Sequence, residues 1–216
     1  MALRTVELKP AQPGLSRTLV LLHGYGADEH DLLPIAHELD LRLRAVSLQG
    51  PISLGGRARA WFNLAMGPRG LSFDSDEVRA GVSAAVEAVE AVAKESPRPI
   101  LLGFSQGAGM ALSVALRRPD LCSAVLSLSG VLRALDATDL APAQSLRGFP
   151  VFAAHGTQDP VVPIALGRAL RDELLRHQIA LEWHEYPMGH MVLPQELAAA
   201  RTWLSTHLQW LQARQQ

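Results

Sequence analysis

Short apolar runs alternate along this chain with longer stretches of helical period. Thr18–Gly24 (TLVLLHG), Leu43–Pro51 (LRAVSLQGP), Pro99–Ser105 (PILLGFS), Ser123–Gly130 (SAVLSLSG), Pro150–Gly156 (PVFAAHG) and Ile179–Tyr186 (IALEWHEY) read as strands, and the first five end in small or polar residues. Between them Val78, Val82, Val86, Val89 and Ala93 recur at helical spacing behind Asp74, whose carboxylate is placed to cap a helix together with Glu77. Leu166, Leu170 and Leu174 mark a second helix, and Leu197, Leu204, Leu208 and Leu211 a C-terminal one, each with an apolar stripe to bury. Buried strands alternating with amphipathic helices predict an α/β fold, a mainly parallel central sheet with helices on both faces. Residues 49–74 break the alternation. Rich in Gly, Pro and Arg and too long for a simple connection, they are expected to form a loop excursion at a substrate site.

Composition narrows the class. The 216 residues suffice for one domain spanning 1–216, with no repeat or low-complexity tract to divide it. Apolar residues make up 48% but aromatic ones only 5%, so Leu, Val and Ala must fill the core. Twenty basic and 21 acidic side chains nearly cancel, and no Lys/Arg run tracks a phosphate backbone, which argues against nucleic acid as a partner. No segment approaches the ~20 apolar residues of a bilayer span, and the first residues lack a signal-peptide core, so no stable membrane insertion and a cytoplasmic location are expected. Cys122 is the only cysteine; in its apolar setting it reads as a buried, inert thiol.

Candidate chemistry centres on Gly103-Phe104-Ser105-Gln106-Gly107. This G-x-S-x-G stretch follows an apolar strand and precedes a helical pattern at Ala108–Leu116, the context of a nucleophile elbow. Such a turn strains the serine backbone and tolerates only small neighbours at the two glycine positions. A serine hydroxyl needs a general base, and the base needs a carboxylate to orient it. In an elbow fold both follow the serine, in the order Ser, acid, His. Asp159, in the turn after PVFAA, and His190, in the loop PMGHMVLP after the last strand, meet that order. Taken singly, each has a plainer reading, Asp159 as a turn former and His190 as a loop histidine. His155 reads as local packing only; His177, His184 and His207 fall in helix or strand patterns without an orienting acid, and His30 and His37 come too early.

An acyl-transfer site also needs N–H donors for the developing oxyanion. The Gln106 N–H, at the start of the helix, is one candidate. The Tyr25 N–H, in the glycine-flanked loop LLHGYGADEHD, is the second. The same loop fails as a dinucleotide site because Glu29 stands at the third glycine position of G-x-G-x-x-G and adds to the charge of Asp28 and Asp31. No His or Cys pair stands at ligand spacing with a third donor, so no metal is expected, and the acyl-transfer chemistry needs no cofactor. Leu64, Met66, Leu71 and Phe73 in the long loop, with Val162, Met188 and Met191 beside the acid and base, offer apolar surface for an acyl chain, some of it core. Trp61 reads either as core or as a brace at the histidine loop or site wall.

Five blocks together, LHGYGADEHDLLPIA, RAWFNL, GFSQGAGMAL, HGTQDPVVP and YPMGHMVLPQE, resemble the phospholipase/carboxylesterase family of α/β-hydrolases, which includes bacterial carboxylesterases and acyl-protein thioesterases. The resemblance runs over nearly the whole chain. It implies a compact α/β-hydrolase with Ser105 as nucleophile, Asp159 as acid, His190 as base, and the Tyr25 and Gln106 N–H groups as oxyanion hole. Two positions depart from the family pattern: Ala108 where glycine is usual, and Asn63 where aspartate is usual after the aromatic pair. The expected activity is hydrolysis of short- to medium-chain carboxylic esters or thioesters through an acyl-enzyme. Lysophospholipase and S-acyl-protein thioesterase activities are alternatives by the same mechanism, and a catalytically silent binding module is the alternative of another class. The partner is a small ester or thioester substrate; a homodimer is compatible with a hydrolase of this size but has no residue-level signal.

Overall fold

A computed structural model describes residues 3–13, 17–67, 70–96, 98–131 and 139–213. Its centre is a seven-stranded sheet built from β1 (Thr5–Leu8), β2 (Thr18–Leu22), β3 (Arg44–Leu48), β8 (Ile100–Phe104), β9 (Ala124–Leu128), β10 (Pro150–Gly156) and β11 (Ala180–Tyr186). The spatial order is β1-β3-β2-β8-β9-β10-β11. All neighbours pair in parallel except β1, which runs antiparallel to β3 at the edge. The six expected strands are present. Strand β1 was not foreseen, because an edge strand with alternating half-exposed residues carries little apolar signal.

Side chains alternate across the sheet and divide the core in two. One face of the central strands, with Val20, Leu22, Leu101, Val125 and Val151, packs against α2 (Ser75–Glu95), α3 (Gln106–Arg117) and α5 (Ile164–Arg176). The other face, with Leu19, Leu21, Leu102, Leu126 and Phe152, packs against α1 (Leu33–Leu39) and α6 (Pro194–Ala213). The expected stripes are the buried ones: Val78, Val82 and Val89 on α2, Leu170 and Leu174 on α5, and Leu204 and Leu208 on α6. The Leu211 side chain lies outside the described residues. Cys122 is buried, and burial pushes its thiol up to about 12, in keeping with an inert sulfur.

Residues 49–74 are more regular than their composition suggests. They form two hairpins, β4 (Ile52–Gly55) with β5 (Ala58–Ala60), and β6 (Ala65–Gly67) with β7 (Gly70–Ser72). Asp74 caps α2 as expected, its Oδ1 accepting from the Asp76 and Glu77 N–H groups at 2.8 and 3.0 Å. Glu77 does not complete a capping box. Its carboxylate instead accepts from Asn63, from the backbone N–H at 2.9 Å and from Nδ2 at 3.1 Å. Asn63 thus supplies an amide donor that an aspartate there would lack, which gives that departure from the family pattern a structural reason. The Ala108 methyl is fully buried where Gly130 leaves room; a Cβ on Gly130 would stand 2.8 Å from it. A four-residue helix, α4 (Ala143–Leu146), precedes β10. Among the described residues no helix is long and apolar enough to cross a membrane.

Candidate active site

The order of the strands reverses between β2 and β8. From β2 the chain moves outward to β3, and from β8 it moves the other way to β9 and β10. In an open parallel sheet the loops diverge at such a point and leave a crevice at the carboxyl ends of the strands. The Tyr25 loop leaves β2 and the Ser105 turn leaves β8, so both border this crevice. A methyl placed on Gly24 would stand 3.6 Å from the Ser105 Cβ, which measures how closely the two segments pass.

Ser105 has φ 54° and ψ −118°, a region costly for any residue with a Cβ. The surroundings hold it there: its N–H donates to the Leu128 carbonyl at 2.9 Å, and its carbonyl accepts from the Ala108 and Gly109 N–H groups at 3.1 and 3.2 Å. A Cβ at Gly103 would collide with the Gly107 backbone, and one at Gly107 with the Leu22 and His23 carbonyls. The elbow therefore needs both glycines, for close backbone approach rather than for positive φ.

His190 joins the serine to the acid. Its Nδ1 lies 2.6 Å from Asp159 Oδ2 and its Nε2 lies 2.8 Å from Ser105 Oγ. An ionised carboxylate only accepts, so the imidazole carries its proton on Nδ1 and Nε2 is left to accept from the serine hydroxyl. Asp159 is buried and its second oxygen is occupied: Oδ1 accepts from the Val161 and Val162 N–H groups, each at 2.8 Å. Phe104 packs against the imidazole with ring centroids 4.9 Å apart.

The donors expected for an oxyanion lie in the loop after β2 and at the start of α3. Gln106 opens α3, where its N–H has no intrahelical acceptor. The Tyr25 loop is pinned to β5 by Gly26 N–H to Arg59 O and Arg59 N–H to Ala27 O, both 2.9 Å.

Several supporting contacts escaped the sequence reading. The Gln106 side chain clamps the connection between the two hairpins, Oε1 accepting from Trp61 N–H at 2.9 Å and Nε2 donating to Phe62 O at 2.8 Å. Trp61, read from the sequence as core or as a brace at the histidine loop or site wall, is fully buried, and its Nε1–H donates to His23 O at 2.9 Å, bracing the start of the Tyr25 loop rather than the histidine loop. His23 is itself buried, with Nε2 accepting from Gly50 N–H at 2.9 Å and Nδ1 donating to Gly24 O at 2.8 Å; burial holds its pKa below the usual imidazole range. His155 does more than fill space: its Nε2 lies 2.8 Å from Val162 O, tying down the turn that carries Asp159. Glu196, on the first turn of α6, reaches back to the Leu193 N–H at 3.2 Å and closes the loop that holds His190. A capping pattern around a buried glutamate was the one available signal for it.

The expected acyl-chain residues divide. Met188 is buried and so cannot touch a substrate. Leu64, Phe73 and Val162 are half-buried, and Phe73 packs edge-on against Phe62. Met191, next to His190, is 52% exposed, and Val161, not singled out from the sequence, is 62% exposed in the turn that carries Asp159. Met66 and Leu71 stand in β6 and β7, but their side chains lie outside the described residues. Asp28, Glu29 and His30 bring potential metal-ligand atoms within 4.8 Å of one another. The carboxylates there already have partners, Asp28 in Arg57 at 2.7 Å and Glu29 in Gln49 at 2.8 Å, so they form an internal polar cluster.

Comparisons with known proteins agree with this geometry. The sequence family described as Phospholipase/Carboxylesterase matches residues 7–208. Acyl-protein thioesterase 1 of Mycosarcoma maydis is 29% identical over 226 aligned positions, covering 90% of this chain and 93% of that one. Among solved structures, the Bacillus cereus carboxylesterase superposes with a TM-score of 0.82 at 26% identity, covering 95% of this chain and 94% of the other. A carboxylesterase from Mesorhizobium loti gives 0.77 at 26% identity, with 89% and 90% covered. An α/β-hydrolase sheet, a serine elbow at its switch point and a family match over almost the whole length lead to one conclusion: the chain belongs to the phospholipase/carboxylesterase family.

Proposed function

We propose that Ser105, His190 and Asp159 are the nucleophile, general base and orienting acid of this carboxylic ester hydrolase, with the Tyr25 and Gln106 N–H groups as its oxyanion hole. The observation that carries the reading is the unbroken relay of 2.8 and 2.6 Å from Ser105 Oγ through His190 to a buried Asp159. Ser105 Oγ attacks the substrate carbonyl as His190 Nε2 takes its proton, and Asp159 steadies the imidazolium that results. The oxyanion is met by two N–H donors. His190 returns its proton to the leaving alcohol or thiol, and water repeats the cycle on the acyl-enzyme. These steps draw on no cofactor.

The acyl chain lies against the apolar surface of the site mouth, where Met191 and Val161 are exposed and Leu64 and Phe73 half-exposed, so residues 49–74 form one wall of the site within a single domain. Support for that wall comes from the hydrogen bonds that tie β5 and the Trp61–Phe62 backbone to the oxyanion loop and to Gln106. Short- to medium-chain esters suit a mouth this open. The thioesterase named among the relatives favours a thioester reading of the same mechanism.

Hydrolysis of p-nitrophenyl esters from acetate to palmitate, and of acyl thioesters followed by thiol release, tests the assignment. Ser105→Ala should lower kcat by at least about 10³ on every substrate. Undiminished turnover in that variant would remove Ser105 from the mechanism.

A further inference from the structure

The end of the sheet opposite the catalytic loops carries a second feature. A cleft of about 900 Å³ opens there, bounded by residues that lead into four neighbouring strands: Arg17 before β2, Arg98 before β8, Ser123 before β9, and Phe149 before β10. Arg117 and Arg118 from the end of α3 and Arg147 from the end of α4 complete a ring of five guanidinium groups. These residues are scattered in sequence, so no basic run announces them. The sheet gathers them.

Among the described residues Asp120 is the one carboxylate that lines the cleft; Arg118 takes both of its oxygens at 2.8 and 2.7 Å, and Arg98 acts on it through space. Arg98 donates to the Cys122 carbonyl at 3.3 and 3.1 Å, Arg147 to the Gln178 amide oxygen at 2.9 Å, and Arg117 to Ser83 Oγ at 3.4 Å. The Arg17 side chain makes no hydrogen bond or ion pair among the described residues. Among the described residues four of the arginines lining this one cleft thus have no carboxylate at ion-pair distance, in a chain whose formal net charge is −1. Such a concentration is costly unless an anion neutralises it. Burial first, and then the charges of Arg17 and Arg98, hold the His207 pKa down to about 4.

We propose that this cleft binds a small organic phosphate carrying two or more negative charges. Guanidinium forks match phosphate oxygens in pairs, and several of them around one concavity suit a multiply charged group. Leu140 and Phe149 give the same cleft an apolar side for the rest of the molecule. The volume is that of a small-molecule site, and its concavity distinguishes it from the extended basic stripe a nucleic acid would follow. The five-residue strand β8 separates it from Ser105, about 17 Å of backbone, so the ligand is not the hydrolysed substrate.

Calorimetric titration of the full chain with inorganic pyrophosphate and with ADP tests the proposal. The expected result is one saturable site whose affinity falls as salt rises, with a matching increase in the wild-type unfolding temperature. Arg17→Gln and Arg117→Gln should each weaken binding about tenfold, the loss of one charge-assisted contact, while leaving p-nitrophenyl ester hydrolysis unchanged. No saturable binding of either probe to the wild-type chain, or binding equally tight in both variants, would overturn it. Citrate binding more tightly than both phosphates would also overturn it, reassigning the cleft to polycarboxylates. Because the wild-type titration decides alone, a variant that fails to fold leaves the test intact.

Discussion

Trp61→Phe separates the bracing of the Tyr25 loop, proposed above as part of the oxyanion hole, from that of Ser105, the proposed nucleophile. The indole Nε1–H donates at 2.9 Å to His23 O, and both residues are fully buried, so water cannot replace the donor. Leaving that carbonyl without its donor should cost about 1–3 kcal/mol. The volume lost from indole to phenyl adds about 1 kcal/mol at ~24 cal/mol per Å³ of cavity. A total of about 2–4 kcal/mol lies within the 5–15 kcal/mol typical of a domain, so the variant should fold. The backbone bond from residue 61 to Gln106 Oε1 survives the substitution, which keeps the Ser105 turn clamped while the His23–Tyr25 segment loosens. Complete loss of an oxyanion donor costs about 10²–10³ in kcat, so a displaced one should cost about tenfold or more. KM should change less than about threefold, because the donor acts on charge that develops only in the transition state. Steady-state kinetics on p-nitrophenyl butyrate, well below the unfolding midpoint, give both constants. Val89→Ala, a buried change on α2 remote from the loop, is the control for destabilisation alone. A kcat loss no greater than the control's would refute the brace.

Two further substitutions address the acid and the loop behind the base. In Asp159→Asn the amide oxygen can keep the Val161 and Val162 N–H bonds while its NH₂ faces His190 Nδ1, which imposes the wrong imidazole tautomer. kcat should fall about 10³–10⁴ with little change in unfolding temperature; a loss below about tenfold would remove Asp159 from the relay. Glu196 is buried, and burial pushes its carboxyl up to about 7 from 4.5. The folded chain then holds a proton that the unfolded chain has lost, so this group's contribution to stability falls as pH rises from 4.5 to 7, by up to about 3 kcal/mol. Glu196→Gln, an isostere of the neutral acid, should match wild type near pH 4.5 and be more stable above pH 7 by denaturant unfolding. A pH-independent difference would refute the burial argument.

What was legible in the sequence is what repeats or what is constrained to one residue type. The strands β2, β3, β8, β9 and β10 are short apolar runs because a parallel sheet buries both faces, and α2, α5 and α6 show stripes because one face is buried. The strained turn at Ser105 was legible because it admits only glycine at 103 and 107, and Asp159 and His190, which hydrogen bonds join to it, were singled out because chain order and strand ends left few rivals. The contacts behind them were not legible. Trp61 and Met188 are apolar residues in irregular stretches, and sequence alone does not distinguish a side chain facing the crevice from one packed beneath it. Glu77 pairs with Asn63 instead of its own helix cap because the hairpin excursion folds back over the start of α2, a tertiary event with no local pattern.

The two ends of the central sheet differ in legibility for the same physical reason. At the carboxyl ends of β2, β8 and β10, backbone geometry selects the residues: a strained serine, close glycine approaches, and a turn that offers two N–H groups to one carboxylate oxygen. Such demands leave motifs. At the amino ends of the same strands no local motif selects the residues, even though Arg98 has φ 52°, and five arginines from distant parts of the chain meet only because parallel strands align their starts as they align their ends. A parallel sheet therefore makes two clefts from one topology, one written in consecutive residues and one visible only after folding. The charge gathered at the second is the more telling because, among the described residues that line it, Asp120 is the one carboxylate set against five arginines.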